Sequence, residues 1–212
     1  MHEPQQGDGL RIERYSPNTR TNHWLVTICF FLAALSGLAM FDPALAWLAQ
    51  VFGGGPWTRI LHPFFGLAMV ILFLFLALRV ATENRMMADD KQWLRQWRDV
   101  VSNHEEKLPE VGKYNAGQKM IFWLQVVLLA TLFVTGLLFW RPWFAQYFPI
   151  GLVRFATLLH SAAAVLLIIA IIVHIYAAIW VKGSIRAMVQ GYVSGRWARI
   201  HHAAWFRQVT KE

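Results

Sequence analysis

Four of the eight histidines, His23, His62, His160 and His174, stand at or inside strongly apolar stretches. An imidazole in hydrocarbon needs a partner, either a carbonyl on a neighbouring helix or a bound metal. The stretch "HSAAAVLLIIAIIVH" carries His160 and His174 fourteen residues apart. At about 1.5 Å rise and about 100° of turn per residue, the two rings leave one helix face roughly 21 Å apart. One helix can therefore supply a ligand to each of two separate sites.

The elements that must position these rings are four apolar runs, approximately 24–41, 57–80, 119–140 and 152–181. Each has about 18 residues or more, enough to cross a bilayer core as a helix. The expected fold is an all-α integral membrane protein, a four-helix transmembrane bundle forming one domain over residues 1–212. Composition agrees. Hydrophobic residues make up 57% and charged residues 15%, against about 45–50% and about 25% in average soluble domains. A disordered chain is excluded.

Seventeen of the twenty Lys and Arg residues lie in the N-terminal tail, the long loop between the second and third runs, and the tail 182–212. Only Arg59, Arg141 and Arg154 occupy the other two loops. The positive-inside rule then puts both termini and the long loop in the cytoplasm. The net charge of +8 reads as attraction to an anionic leaflet rather than to nucleic acid. The polar N-terminus lacks an apolar leader core, so no cleavable signal is expected.

Direction gives depth. His23 opens the first outward span, and His174 lies in the inner half of the fourth. His62 is near the outer end of the second, and His160 in the outer half of the fourth. Depth thus pairs His23 with His174 and His62 with His160. Interhelical packing is the ordinary role for a single such histidine; two depth-matched pairs point to ligation. A proton or ion pathway would add carboxylates, and the spans hold no Asp or Glu. Zinc wants about four protein ligands. Haem brings four nitrogens of its own, and two histidines fill the remaining positions, which suits electron transfer. Cys29 is the only cysteine, and CxxCH is absent, so covalent haem attachment and iron–sulfur ligation are excluded.

The remaining histidines, His2, His104, His201 and His202, fall in polar segments and are expected at solvated or interfacial surface. His201 and His202 together offer at most an adventitious metal contact. The segment 89–108 has an apolar stripe of Trp93, Leu94, Trp97, Val100 and Val101, with Asp89 as a candidate cap. It is read as a helix on the membrane surface or packed on the bundle. The tail "RWARIHHAAWFRQV" is basic and amphipathic in the same way. Arg59 and Arg154 on the outer side, and Arg20 and Lys182 on the inner, serve either haem carboxylates or lipid headgroups.

The segments "NHWLVTICFFLAALSGL", "RILHPFFG", "VGKYNAGQKMIFW", "VTGLLFWRPWFAQYFP" and "HIYAAIWVKGSIRAMVQG" closely resemble the membrane cytochrome b (gamma) subunit of quinone-linked respiratory formate dehydrogenase. The likeness runs from about Arg14 to Val209. The cytochrome b of nickel–iron hydrogenase is similar in plan but more distant. The resemblance implies two b-type haems, one on the cytoplasmic side held by His23 and His174, the other on the periplasmic side held by His62 and His160. It implies a quinone site at Asn115, Gly117, Gln118 and His174, for menaquinone or ubiquinone. From the residues alone, "NAGQK" reads rather as the capped start of a helix. The resemblance also implies an iron–sulfur (beta) subunit and a molybdenum or tungsten catalytic (alpha) subunit that oxidises formate, in the bacterial inner membrane. A higher oligomer of that heterotrimer belongs to the same expectation. The rivals are the equivalent subunit of a hydrogenase or other periplasmic oxidoreductase, and a haem-free transporter or structural subunit.

Overall fold

The computed structural model describes residues 9–102 and 108–211. His2 and His104 lie outside them, as do residues 103–107 of the 89–108 segment and the side chains of Val100 and Val101. The described residues divide into two compact units. One holds Thr21–Leu78 and Leu124–His174; the other holds the described parts of Met1–Arg20, Arg79–Trp123 and Ile175–Glu212.

Among the described residues, four helices are long and apolar enough to cross a membrane: α1 (Pro17–Phe41), α2 (Gly55–Val80), α5 (Ala116–Phe139) and α6 (Ile150–Trp180). They match the four expected runs. α1 begins seven residues before its apolar run, because helical hydrogen bonding continues through a polar turn that hydropathy does not register. Pro17 suits a first-turn position, where its missing N–H costs nothing. Beyond "DP", the first run is followed by a 3-10 segment, Pro43–Phe52. Asp42 accepts the Ala44 N–H at 2.8 Å, and Gly53 ends the segment at φ 87°. That conformation favours glycine.

The middles of the four helices make the first unit. Phe30 and Ala33 of α1, Met69 and Phe73 of α2, Leu128 and Leu129 of α5, and Ala163 and Leu167 of α6 form its buried core. Large apolar side chains such as Ile28, Leu78, Leu158 and Ile172 are exposed on the outer faces. In water that would be costly; in lipid it is the expected arrangement.

The second unit is built from short elements: β1 (Arg11–Glu13), α3 (Ala88–Arg95), α4 (Trp97–Val101), α7 (Ser184–Gln190), β2 (Tyr192–Ser194), α8 (Gly195–His201) and α9 (Ala203–Thr210). β1 and β2 pair antiparallel, with Ile12 opposite Val193. Ile12, Ala187, Val193, Ala198, Trp205 and Phe206 form a separate small core. Ala198, Trp205 and Phe206 of the tail therefore pack within the unit. Gly191, at φ 92°, hinges the turn between α7 and β2; a Cβ there would meet the Tyr15 carbonyl at 2.9 Å.

α3 is capped differently from the sequence expectation. Asp89 lies in the first turn, while the Asp90 carboxylate accepts the Met87 N–H at 2.6 Å. Asp90 also meets Lys119 of α5, at 2.8 and 3.0 Å. This buried pair packs α3 on the start of α5, where a Cβ at Gly117 would lie 3.3 Å from the Trp93 ring.

Candidate functional site

The two depth pairs come together. The rings of His62 and His160 lie 6.3 Å apart centre to centre. Those of His23 and His174 lie 6.4 Å apart. Two imidazoles on one iron need about 2 Å for each metal–nitrogen bond and about 1 Å from each nitrogen to its ring centre, or about 6 Å in all. Both pairs have the spacing of two axial ligands.

The protonation of His62 and His160 follows from their neighbours. Ser36, fully buried, donates its one hydroxyl proton to the Leu32 carbonyl at 2.6 Å. Its oxygen is left to accept, and His62 Nδ1 lies 2.9 Å away. Nδ1 therefore carries the proton, and Nε2 keeps the lone pair that ligates metal. Thr135 repeats the device. It donates to the Thr131 carbonyl at 2.6 Å and accepts from His160 Nδ1 at 3.0 Å. Such outer partners fix tautomer and ring orientation, and their loss costs about 10–100-fold in metal affinity. His23 lacks this arrangement; its Nδ1 is buried with no hydrogen-bond partner among the described residues.

A glycine follows each hydroxyl residue. A Cβ at Gly37 would lie 3.2 Å from His62 Cε1, and one at Gly136 would lie 3.4 Å from His160 Cε1. The bare backbone makes room for the rings. The sequence reading missed these four residues, although the hydroxyl–glycine pairs in "LSGL" and "VTGL" were a signal. A cavity of about 520 Å³ lies at this level, lined by both histidines, both glycines, Arg59 and Arg141 among largely apolar neighbours. The residues thus fit a large apolar group with an acidic edge: nitrogen lone pairs, room beside the rings, and two cations. Arg154 is not in that lining.

Asn115 and Gln118 form a reciprocal cap at the start of α5. The Asn115 N–H donates to Gln118 Oε1 at 3.0 Å, and the Gln118 N–H donates to Asn115 Oδ1 at 2.9 Å. The capped-helix reading is correct. It also has a chemical consequence. With both amide oxygens committed as acceptors, the two NH2 groups remain as oriented donors. These residues and Gly117 belong to the second unit, whereas His174 is the last residue of the first.

One histidine was misplaced. His202, expected at solvated surface, is 3% exposed. It tolerates burial because both ring nitrogens are satisfied: Nδ1 meets the Gly112 carbonyl at 2.7 Å, and Nε2 meets Arg14 Nη2 at 3.2 Å. Burial, then the Arg14 charge, push its pKa down to about 3, so it is neutral at physiological pH.

The model of the family described as prokaryotic cytochrome b561 matches residues 14–191. The chain belongs to this family. The cytochrome is an integral membrane protein, and its family implies haem b. It is 50% identical over 192 residues to the "Formate dehydrogenase, nitrate-inducible, cytochrome b556(Fdn) subunit" of Escherichia coli strain K12, covering 91% of this chain and 88% of the relative. It is 46% identical over 200 residues to that organism's "Formate dehydrogenase, cytochrome b556(fdo) subunit", covering 94% of each. The "Formate dehydrogenase, cytochrome b556 subunit" of Haemophilus influenzae is 43% identical over 208 residues, covering 98% of this chain and 87% of the relative.

A direct test of the Nδ1 arrangement is Ser36→Ala in the cytochrome. It removes the hydroxyl that faces His62 Nδ1 while leaving the ring in place. Haem affinity at that level is expected to fall about 10–100-fold, measured by transfer to apomyoglobin. Unchanged retention would show that the hydroxyl does not set the tautomer.

Proposed function

We propose that the chain is the dihaem cytochrome b membrane subunit of a respiratory formate dehydrogenase, passing electrons inward across the bacterial inner membrane to quinone. The observation that carries this is the pair of histidine couples, 6.3 and 6.4 Å apart, on four apolar helices. The names of the relatives supply the enzyme. A molybdenum or tungsten subunit would oxidise formate in the periplasm, and an iron–sulfur subunit would deliver the electrons. The Lys and Arg distribution supports cytoplasmic termini.

His62 and His160 would hold the haem nearer the periplasm, His23 and His174 the one nearer the cytoplasm. With two histidines at each level, the haem they would hold would supply one-electron storage and suit electron transfer rather than oxygen binding. Arg59 and Arg141, in the cavity wall, are suited to haem carboxylates. Between the two levels of α6 lie Ala163 and Leu167 of the buried core, an apolar layer that keeps water and protons from the path.

At the quinone end, the Asn115 and Gln118 amides would donate to a quinone carbonyl. The resemblance adds Gly117 and His174 to this site. Reduction to quinol takes two electrons and two protons, and a site opening to the cytoplasm draws those protons from inside.

Asn115→Ala is expected to raise the quinone KM by roughly tenfold, the loss of one hydrogen bond, with both haems still reducible. Normal quinone kinetics would remove Asn115 from the site. Identifying the subunits that co-purify separates formate dehydrogenase from hydrogenase.

A further inference from the structure

We propose that Arg14 and His202 are positioning residues for quinone reduction, holding the backbone that aims Asn115 and Gln118. The inference rests on the quinone reading above.

Arg14 is 4% exposed and follows β1 directly. Its Nη2 donates to the Lys113 carbonyl at 2.5 Å and lies 3.2 Å from His202 Nε2. A guanidinium only donates, so Nε2 must accept. His202 Nδ1 then carries the proton and donates to the Gly112 carbonyl. Two bonded side chains, one near the N-terminus and one between α8 and α9, thus grip two consecutive carbonyls.

The guanidinium is set among aromatic rings. Trp197 and Trp205 each lie 5.1 Å from its central carbon, Tyr15 5.6 Å and Tyr114 5.9 Å. Their ring faces stabilise the cation. A loop that merely joined two helices would lie solvated at the surface. This one is fixed by a buried cation and a buried neutral imidazole. Its side chains are held as well: Tyr114 is buried, and Lys113 pairs with Glu83 at 2.9 Å. The next residue is Asn115, whose side chain is locked to Gln118. No slack remains between Gly112 and the two donor amides. A displacement near 1 Å at a reacting site can cost about a hundredfold, so rigidity here has a chemical use.

The test uses the purified, haem-loaded complex, with short-chain ubiquinone and menaquinone analogues as probes. His202→Phe keeps a buried ring but neither accepts from Arg14 nor donates to Gly112. His202→Gln retains one acceptor and one donor. The Phe variant should raise the quinone KM by roughly tenfold, more than it lowers kcat, with the reduced-haem spectrum intact. The Gln variant should recover most of that loss. Combined with Asn115→Ala, His202→Phe should add little, because it acts through the same residue. Should His202→Phe fail to assemble, Arg14→Lys keeps the charge but loses the fork, and should raise KM in the same sense. If Asn115→Ala raises KM while these variants leave it unchanged, the positioning role is wrong and the quinone reading stands. Fully multiplicative effects also overturn it, since they mean independent action. If Asn115→Ala itself leaves KM unchanged, the quinone reading fails, and this inference fails with it.

Discussion

His62→Ala is expected to remove one haem per chain and leave the other. In the proposed reading its ring would supply one of two nitrogens to the haem at that level, and alanine offers none. His160 alone, still tied to Thr135, would face a site opened toward Gly37. The His23–His174 couple lies on the far side of the buried core contributed by all four helices, so it should keep its group. Haem extracted as the pyridine complex should fall by about half, and a redox titration should lose one of two components. Electron delivery to quinone should stop, because the gap along α6 would be about 21 Å with no intermediate stop. Retention of both haems would refute ligation by His62. Loss of the other component would reverse the depth assignment, and loss of both would show that the two levels are not independent. Ser36→Ala should do the same thing more weakly, since it removes the ring's support and not the ring.

Lys119→Met is expected to give the largest loss of stability in the second unit. Lys119 and Asp90 are each 7% exposed at the side chain, and both Asp90 oxygens contact the ammonium. Removing the cation leaves a buried carboxylate whose remaining partner among the described residues is the Met87 N–H. Breaking a buried pair from one side costs about 3–5 kcal/mol, whereas replacing both partners with apolar groups is often neutral. The double change Lys119→Met with Asp90→Leu should therefore recover much of the loss, less the cap that Asp90 gives α3. Thermal unfolding and limited proteolysis around α3 would measure both. Equal damage from the single and double variants would mean that the loss does not come from a stranded carboxylate. A silent single variant would mean that Asp90 is not held as a charge. Since Lys119 follows Gln118 directly, slower quinone reduction should accompany the instability.

The four spans were legible because a lipid-facing helix must be apolar along its whole length, and no other element leaves that trace. The histidine couples were legible because ionisable groups in such runs are rare, and helix direction converts position into depth. The cap at Asn115 was legible because its partner is three residues away. Contacts at longer range were not. Arg14 and His202 are 188 residues apart, and nothing near His202 distinguishes a buried, doubly bonded imidazole from a solvated one. The strands Arg11–Glu13 and Tyr192–Ser194 are too short to show a period. The tail's amphipathic pattern was legible, but not what its apolar face would cover. A pattern fixes that a face must be buried, not against what.

The sequence by itself determined the solvent, the number of spans, the histidines that share a level and the family. These follow from composition, order and rise, which are local quantities. Tertiary structure alone decided which nitrogen of His62 and His160 carries the proton, and why glycine stands opposite each ring. It also decided how Arg14 and His202 secure the start of α5. Those depend on distances between side chains brought together only when the helices pack.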